Sequence, residues 1–382
     1  MRSIYLDYNA TTPLDPGVLE EMTPFLTGYF GNPSSVHHIG REARSALDEC
    51  RYRVSSVWRC KPSEVIFTSG GTESNNLAII GAAKALSSKG KHLITSAVEH
   101  HAVLHCFENL AASEGFDLTI LPVSSEGLVD PRELEKAILP STTLVSVMAA
   151  NNETGVIQPI SELSSICREH GVLFHSDAVQ AFGKLPFTDI HQFSADLVSV
   201  CSHKFHGPKG AGALFCRSPL LIQPVFRGGA HENEARPGTE NLPAIEGFTA
   251  ALERFVPDPV FSPAHLSTLS LRLINELSEL PHVTFQGHPS LRLPNTAAFT
   301  VDGWDSIALL AALDLEGVCA SSGSACSVGS LEPSHVLSAM GLSRDQANSL
   351  VRFSLGRETT SEEIDYTIDV FKRIVFNHGS LG

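Results

Sequence analysis

Ser199-Val200-Cys201-Ser202-His203-Lys204-Phe205-His206-Gly207-Pro208-Lys209-Gly210 carries a lysine out of an apolar, strand-like run, Ala195 to Cys201, into a turn rich in glycine and proline. A lysine held at such a place is partly desolvated, which lowers its pKa and frees the amine as a nucleophile. Twenty-seven residues before Lys204, another apolar run, Val172 to His175, ends in Ser176-Asp177-Ala178-Val179-Gln180. An aspartate at one strand end and a lysine at the next are the pair that pyridoxal phosphate (PLP) requires. The lysine forms a Schiff base with the aldehyde, and the carboxylate keeps the pyridine nitrogen protonated so that the ring accepts electrons. Taken alone, the two residues also fit an aspartate turn cap and a surface lysine. The remaining motifs favour the cofactor pair.

On both sides of this stretch short apolar runs alternate with amphipathic ones. Val65 to Phe67 is followed by a helical pattern over Asn75 to Leu86, and His92 to Thr95 by one over Ala102 to Glu114. Leu144 to Met148 precedes Ile160 to His170; the Asp177 and Lys204 strands and Ala211 to Cys216 follow. Such alternation predicts an α/β layer with mostly parallel strands, in which ligands gather at the carboxyl ends of strands. Three prolines within Val256 to Pro263 mark a boundary. Beyond it the pattern predicts helices over His265–Leu280, Ser306–Asp314 and Ser361–Phe376, with strands at Ala297–Val301 and Leu350–Leu355.

Composition narrows the partners. The chain has 382 residues, long enough for two domains, with 42% hydrophobic residues and a net charge of −15. That charge argues against nucleic acid or an anionic membrane as the main partner, while leaving room for a local pocket for a small anion. No apolar run approaches the ~18 residues that cross a bilayer, and no basic-then-apolar leader opens the chain. Eight scattered cysteines without a CxxC pair fit a reducing cytoplasm. His37-His38, His100-His101 and His203-x-x-His206 lack the supporting residues of a metal site, so no metal is expected.

Further motifs fall at strand ends. Phe67-Thr68-Ser69-Gly70-Gly71-Thr72-Glu73-Ser74 reads as strand, small-residue turn and helix start, where close backbone approach and free N–H groups suit a phosphate; a plain capped βα turn fits equally. His100 could stack on a flat ring and move protons, or merely cap a helix. Asn151-Asn152-Glu153-Thr154-Gly155 is either a tight turn or a pair of amides for cofactor and substrate. Arg352, a charge inside an apolar strand, suits a structural ion pair or a substrate carboxylate. Cys326 lies in Ser321-Ser322-Gly323-Ser324-Ala325-Cys326-Ser327-Val328-Gly329-Ser330, a run of small residues expected to be an exposed, mobile loop and an odd place for a cysteine. Cys319 reads instead as a core cysteine.

In this order, from Tyr5-Leu6-Asp7-Tyr8-Asn9-Ala10-Thr11-Thr12 through Gly31-Asn32-Pro33-Ser34-Ser35 to Arg352-Phe353-Ser354, the chain resembles the cysteine desulfurases of the NifS/IscS group. Ser321 to Cys326, continuing into Ser330-Leu331-Glu332-Pro333-Ser334-His335, resembles the long catalytic loop of group I of those enzymes. The resemblance implies the PLP-dependent transferase fold of aminotransferase class V (fold type I). Its large domain would span 16–257, around a mostly parallel mixed sheet. A smaller α+β domain would combine 1–15 with 258–382 and carry the cysteine loop at about 321–333.

It also implies roles. Lys204 would be the Schiff-base lysine, Asp177 the pyridinium partner and His100 the ring-stacking proton shuttle. Asn152 and Gln180 would meet the ring substituents. Gly71, Thr72, Cys201, Ser202, His203 and, from the second subunit of a homodimer, Thr239 would hold the phosphate. Arg352, helped by Asn32 and Asn152, would bind the carboxylate of L-cysteine. Cys326 would take the sulfur as a persulfide, pass it to an iron–sulfur scaffold or another acceptor protein, and is a candidate transient iron–sulfur ligand. The implied activity is cysteine desulfuration, with a selenocysteine lyase or small-amino-acid aminotransferase of the same fold as the alternative. Many relatives carry serine where this chain has Cys201, and a thiol is the weaker donor, so a modestly lower phosphate affinity is expected. Relatives of the IscS type continue past the position of Gly382 into a segment that engages the scaffold, which makes scaffold docking less certain here.

Overall fold

The computed structural model describes residues 3–261, 263–323 and 333–378. The chain opens with β1 (Ile4–Tyr5), α1 (Pro16–Thr27) and α2 (His38–Trp58). Next come β2 (Val65–Thr68), α3 (Gly71–Leu86), β3 (His92–Ser96), α4 (His101–Glu114), β4 (Asp117–Leu121) and α5 (Pro131–Ala137). Then follow β5 (Thr142–Ser146), α6 (Ile160–Glu169), β6 (Leu173–Asp177), β7 (Leu197–Cys201), β8 (Gly212–Cys216) and α7 (Leu242–Phe255). The remainder is α8 (Pro263–Ser278), β9 (Val283–Gln286), β10 (Thr296–Val301), α9 (Ser306–Leu315) and β11 (Val318–Cys319). It closes with α10 (His335–Ala339), α11 (Arg344–Ala347), β12 (Leu350–Ser354) and α12 (Ser361–His378).

Seven strands form the central sheet in the order β2-β8-β7-β6-β5-β3-β4. The pairings β7·β6, β6·β5, β5·β3 and β3·β4 are parallel, and only those of β8 are antiparallel. The sheet is therefore mixed and mostly parallel, and β2, β3, β5, β6 and β7 all end on one edge. Sheets of this kind are buried on both faces, so their strands read as continuous apolar runs. One face packs Phe67, Phe174, Val198 and Phe215 against Leu47 and Trp58 of α2 and Phe248 of α7. The other sets Leu93, Leu144 and Leu197 against Leu77 of α3 and Phe107 of α4.

A second core gathers Ile4 and Leu6 with Phe261, Leu273, Phe299, Phe353 and Phe371, around the three-stranded antiparallel sheet β12-β10-β9. Segments from both ends of the chain thus share it. Among the described residues no helix is long and apolar enough to cross a membrane.

Differences from the sequence reading are local. Helix α3 starts four residues earlier than the apolar pattern shows, because Gly70, at φ +151°, turns the chain directly from β2 into the helix. Strand β5 ends at Ser146, although Val147 N still donates to His175 O (3.2 Å) beyond it. Edge strand β4 escaped notice because polar and apolar residues mix along it and only Leu121 is buried. Cys319, expected in the core, is only partly buried.

One buried histidine sets a pH limit. His175 in β6 shares hydrogen bonds with Ser146 Oγ (2.8 Å) and Ser199 Oγ (3.0 Å), and burial pushes its pKa down from 6.5 to about 3. The unfolded chain therefore binds a proton that the folded chain refuses, and this stability is lost as pH falls below about 6.5. Tm should drop between pH 6.5 and 4, with a contribution from this residue of up to about 1.4 kcal/mol per pH unit. His175→Gln should flatten that slope in a thermal melt series; an unchanged slope would assign the acid sensitivity to other groups.

Candidate active site

The connections that leave the ends of β2, β3, β5, β6 and β7 deliver side chains to the shared strand edge, where they line a cavity of about 200 Å³. Lys204 arrives from β7. The buried strand residues end at Cys201, and one tight turn, Ser202–Lys204, folds back beneath them. Ser202 Oγ donates to Pro208 O (2.5 Å) and is near Ala211 O (3.2 Å), closing the loop on itself. A Cβ on Gly207 would lie 2.4 Å from the Ser202 Cβ, so only glycine fits that closure. Lys204 Nζ then donates to two backbone carbonyls, Asn9 O (2.6 Å) and Ala10 O (2.8 Å). Burial lowers its pKa from 10.5, and nearby Arg352 acts in the same direction. No carboxylate bonds to it among the described residues, so its amine loses its proton more readily than an exposed lysine.

Asp177 closes β6 and is held rigidly. Its Oδ1 accepts from Val179 N (3.0 Å) and its Oδ2 from Asn75 Nδ2 (2.6 Å). Gly71 and Thr72 line the cavity at the N-terminus of α3, where the helix dipole is positive. Cys201 faces this turn; burial pushes its thiol up to about 11, while the Gly71 N–H bonds to it and pulls the other way.

His100 proves to be both a cap and a cavity residue. Its Nδ1 accepts from Ala102 N (3.1 Å) at the start of α4, so the neutral ring carries its proton on Nε2. Burial lowers its pKa below 6.5, outweighing the opposite pull of Asp177. His203 also lines the cavity; its Nδ1 lies 3.2 Å from Thr11 Oγ1, and burial takes its pKa to about 3.

Arg352 in β12 forms the structural ion pair and also lines the cavity. It is 1% exposed, pairs with Asp7 Oδ1 (2.7 Å), and donates to Asn152 O (2.8 Å) and Gly323 O (2.9 Å). Its Nε has no partner among the described residues, and the side chain lines the cavity. Removing Asp7 from this buried pair would cost about 3–5 kcal/mol.

Gly71, Thr72, His100, Asn152, Asp177, Gln180, Cys201, His203, Lys204 and Arg352 therefore meet at one place. Three expected residues stand apart from it within this chain. Ser202 is fully buried with its hydroxyl committed to the loop carbonyls, and Asn32 and Thr239 are exposed. The Asn32 side chain instead accepts from Ser34 N (2.9 Å). Cys326 lies outside the described residues, but both flanks of its segment are placed. Gly323 O contacts Arg352, Ser334 Oγ donates to Glu153 Oε2 (2.5 Å), and His335 Nε2 is 2.9 Å from Glu99 O.

Asn9, Ala10, Asn75, Met148 and Val179 complete the lining without having been named as site residues from the sequence. Asn9 is the hub. Its carbonyl holds Lys204 and Gln180, its side chain bonds Thr296 Oγ1 (2.9 Å), and its N–H donates to Ser354 Oγ (2.9 Å). It joins the N-terminal segment, both sheets and the lysine, a convergence no local pattern reveals. Asn75 could have been suspected from its place one turn after the glycine pair.

The donor set fits PLP: an amine among carbonyls, a fixed carboxylate, a glycine-rich helix N-terminus, and two orphaned polar atoms, Arg352 Nε and Asn75 Oδ1, on cavity residues. Residues 4–367 match the family model described as aminotransferase class-V. The chain is 49% identical to "Cysteine desulfurase IscS" of Dictyoglomus turgidum, over 98% of this chain and 95% of that protein. It is 44% identical to the protein of the same name from Methanosarcina thermophila, over 98% and 92%. A solved structure titled "NIFS-LIKE PROTEIN" superposes with a TM-score of 0.90 at 37% identity, covering 98% of this chain and 99% of that one.

Proposed function

The chain belongs to the aminotransferase class-V family, and from that premise we propose that it is a PLP-dependent cysteine desulfurase, converting L-cysteine to L-alanine and leaving the sulfur as a persulfide on Cys326. The observation that carries the reading is the meeting of Lys204, Asp177, His100 and Arg352 in one cavity flanked by both ends of the Cys326 segment.

When bound, the cofactor supplies an aldehyde for Lys204 and a ring that takes up the electron pair released at Cα. Asp177, anchored by Asn75 and Val179 N, would hold the ring nitrogen. Gly71, Thr72 and the Cys201 turn would hold the phosphate at the helix N-terminus. Arg352 offers its unpaired Nε to the substrate carboxylate, with Asn152 alongside. Lys204, its pKa lowered by burial, removes the Cα proton, and His100, neutral with its proton on Nε2, moves a proton at the ring face. The Cys326 thiolate attacks the substrate sulfur. An S–S bond forms, the Cβ–S bond breaks, and its electron pair stays on carbon and is protonated to the methyl group of alanine.

The partners in this reading are L-cysteine, a second copy of the chain, and an iron–sulfur scaffold or other sulfur acceptor in a cytoplasmic setting. The large exposed apolar side chains Phe30 (76%), Val36 (88%), Leu221 (84%) and Phe226 (56%) support a homodimer. Exposed Thr239, in the stretch fastened by the Arg236–Glu73 pair, then reaches the second subunit's phosphate. The test is incubation with cysteine alone. Alanine formed without a keto acid, together with a reducible persulfide, supports desulfuration; dependence on a keto acid would make it an aminotransferase. A dilute, strictly monomeric sample that keeps PLP and full turnover would rule out the dimeric site.

A further inference from the structure

Lys184 is a fully buried lysine with no carboxylate bonded to it among the described residues. Gly183, at φ +72°, packs against Phe205, a Cβ there meeting the Phe205 Cβ at 2.8 Å, and so turns the next side chain inward. Nζ of Lys184 donates to Asn9 Oδ1 (2.6 Å) and to Gln180 Oε1, and lies 5.4 Å from the centre of the Phe261 ring. Lys204, Arg352, Cys201 and Asp7 are the titratable and charged groups acting on it, and burial dominates their effect. A cation placed this way is costly to bury. Its hydrogen-bond partners are two residues that line the cavity.

We propose that Lys184 is a positioning residue: it claims the oxygen of the Gln180 amide and thereby presents the remaining N–H of that amide to the cavity, as a fixed donor for an anionic oxygen on the ring of the bound cofactor. The inference rests on the cavity being the PLP site. A carboxamide can flip, exchanging acceptor and donor ends at little cost in shape. A lysine ammonium only donates, so the oxygen must face Lys184. Nε2 then spends one hydrogen on Asn9 O (2.9 Å) and keeps the other. The flipped amide would set NH2 against the ammonium and its oxygen against Asn9 O, two repulsive contacts. Even the neutral amine, which burial favours, has a hydrogen for each oxygen.

The test uses the holoenzyme and reads the pH midpoint of the colour change of the Schiff base at Lys204. A donor on the ring oxygen stabilises the charge left there when the imine proton departs, so its loss raises the midpoint. Lys184→Met is expected to stay yellow with a midpoint raised by about one pH unit, the scale of one hydrogen bond to a charged group. Gln180→Leu should raise it similarly, and the double variant should add nothing further, since the lysine acts through the amide. An unchanged midpoint in Lys184→Met, or a second full shift in the double variant, overturns the proposal. Should Lys184→Met not fold, an unshifted midpoint in Gln180→Leu overturns it equally. A wild-type protein without yellow colour and without borohydride fixation at Lys204 would instead remove the PLP reading beneath it.

Discussion

Lys204→Ala is expected to fold like the parent protein and to lack the Schiff-base colour entirely. The folding expectation follows from its contacts: among the described residues Nζ donates only to the carbonyls of Asn9 and Ala10, of which Gln180 still serves the first and solvent can serve the second. The loss of function follows from chemistry, because alanine offers neither the amine that bonds the aldehyde nor the base that removes the Cα proton. Alanine production should fall by about 10⁴-fold or more. The measurement is the absorbance spectrum with and without borohydride, followed by alanine release from cysteine. Unchanged colour and turnover would move the Schiff base elsewhere, with Lys209 the next lysine along the chain.

Cys326→Ser should separate the two halves of the reaction. Cofactor chemistry belongs in this reading to Lys204, Asp177 and His100, whose hydrogen bonds to Asn9, Ala10, Asn75, Val179 and Ala102 are the ones that position them. The variant should therefore stay yellow and still change its spectrum when cysteine is added, since Arg352 and Asn152 remain. Serine cannot accept sulfur, so alanine formation should drop by about a thousandfold or more and no reducible persulfide should form. Cys319→Ser is the control. That residue pairs with Tyr5 across the β1·β11 bridge and does not line the cavity, so turnover should be largely intact. Full activity in Cys326→Ser with loss in Cys319→Ser would reassign the sulfur-accepting thiol.

The alternation of buried strands and amphipathic helices made the central sheet readable, because parallel strands covered on both faces leave an unbroken apolar trace. Asp177 and Lys204 were visible for the same reason: each is a polar residue at the point where such a trace stops. Arg352 stood out as a charge inside one. Lys184 was invisible, since a lysine after a glycine looks like any surface lysine until the Gly183 turn is seen to drive it into the core. Ser202, which the resemblance gave to the phosphate, has its hydroxyl committed within this chain to closing the loop, a use that only the folded turn reveals.

Local order along the chain thus carried the fold class, the strand-end candidates and the family resemblance, all of which depend on residue type and spacing over a few turns. The Asn9 hub and the Arg352–Asp7 pair join segments far apart along the chain: Asn9 lies 195 residues from Lys204 and 175 from Lys184, and Asp7 lies 345 from Arg352. Nothing in their neighbours along the chain encodes those distances. They are set when the N-terminal segment joins the second core and lies across the edge of the sheet, where buried donors and acceptors must find partners in whatever elements packing has brought near.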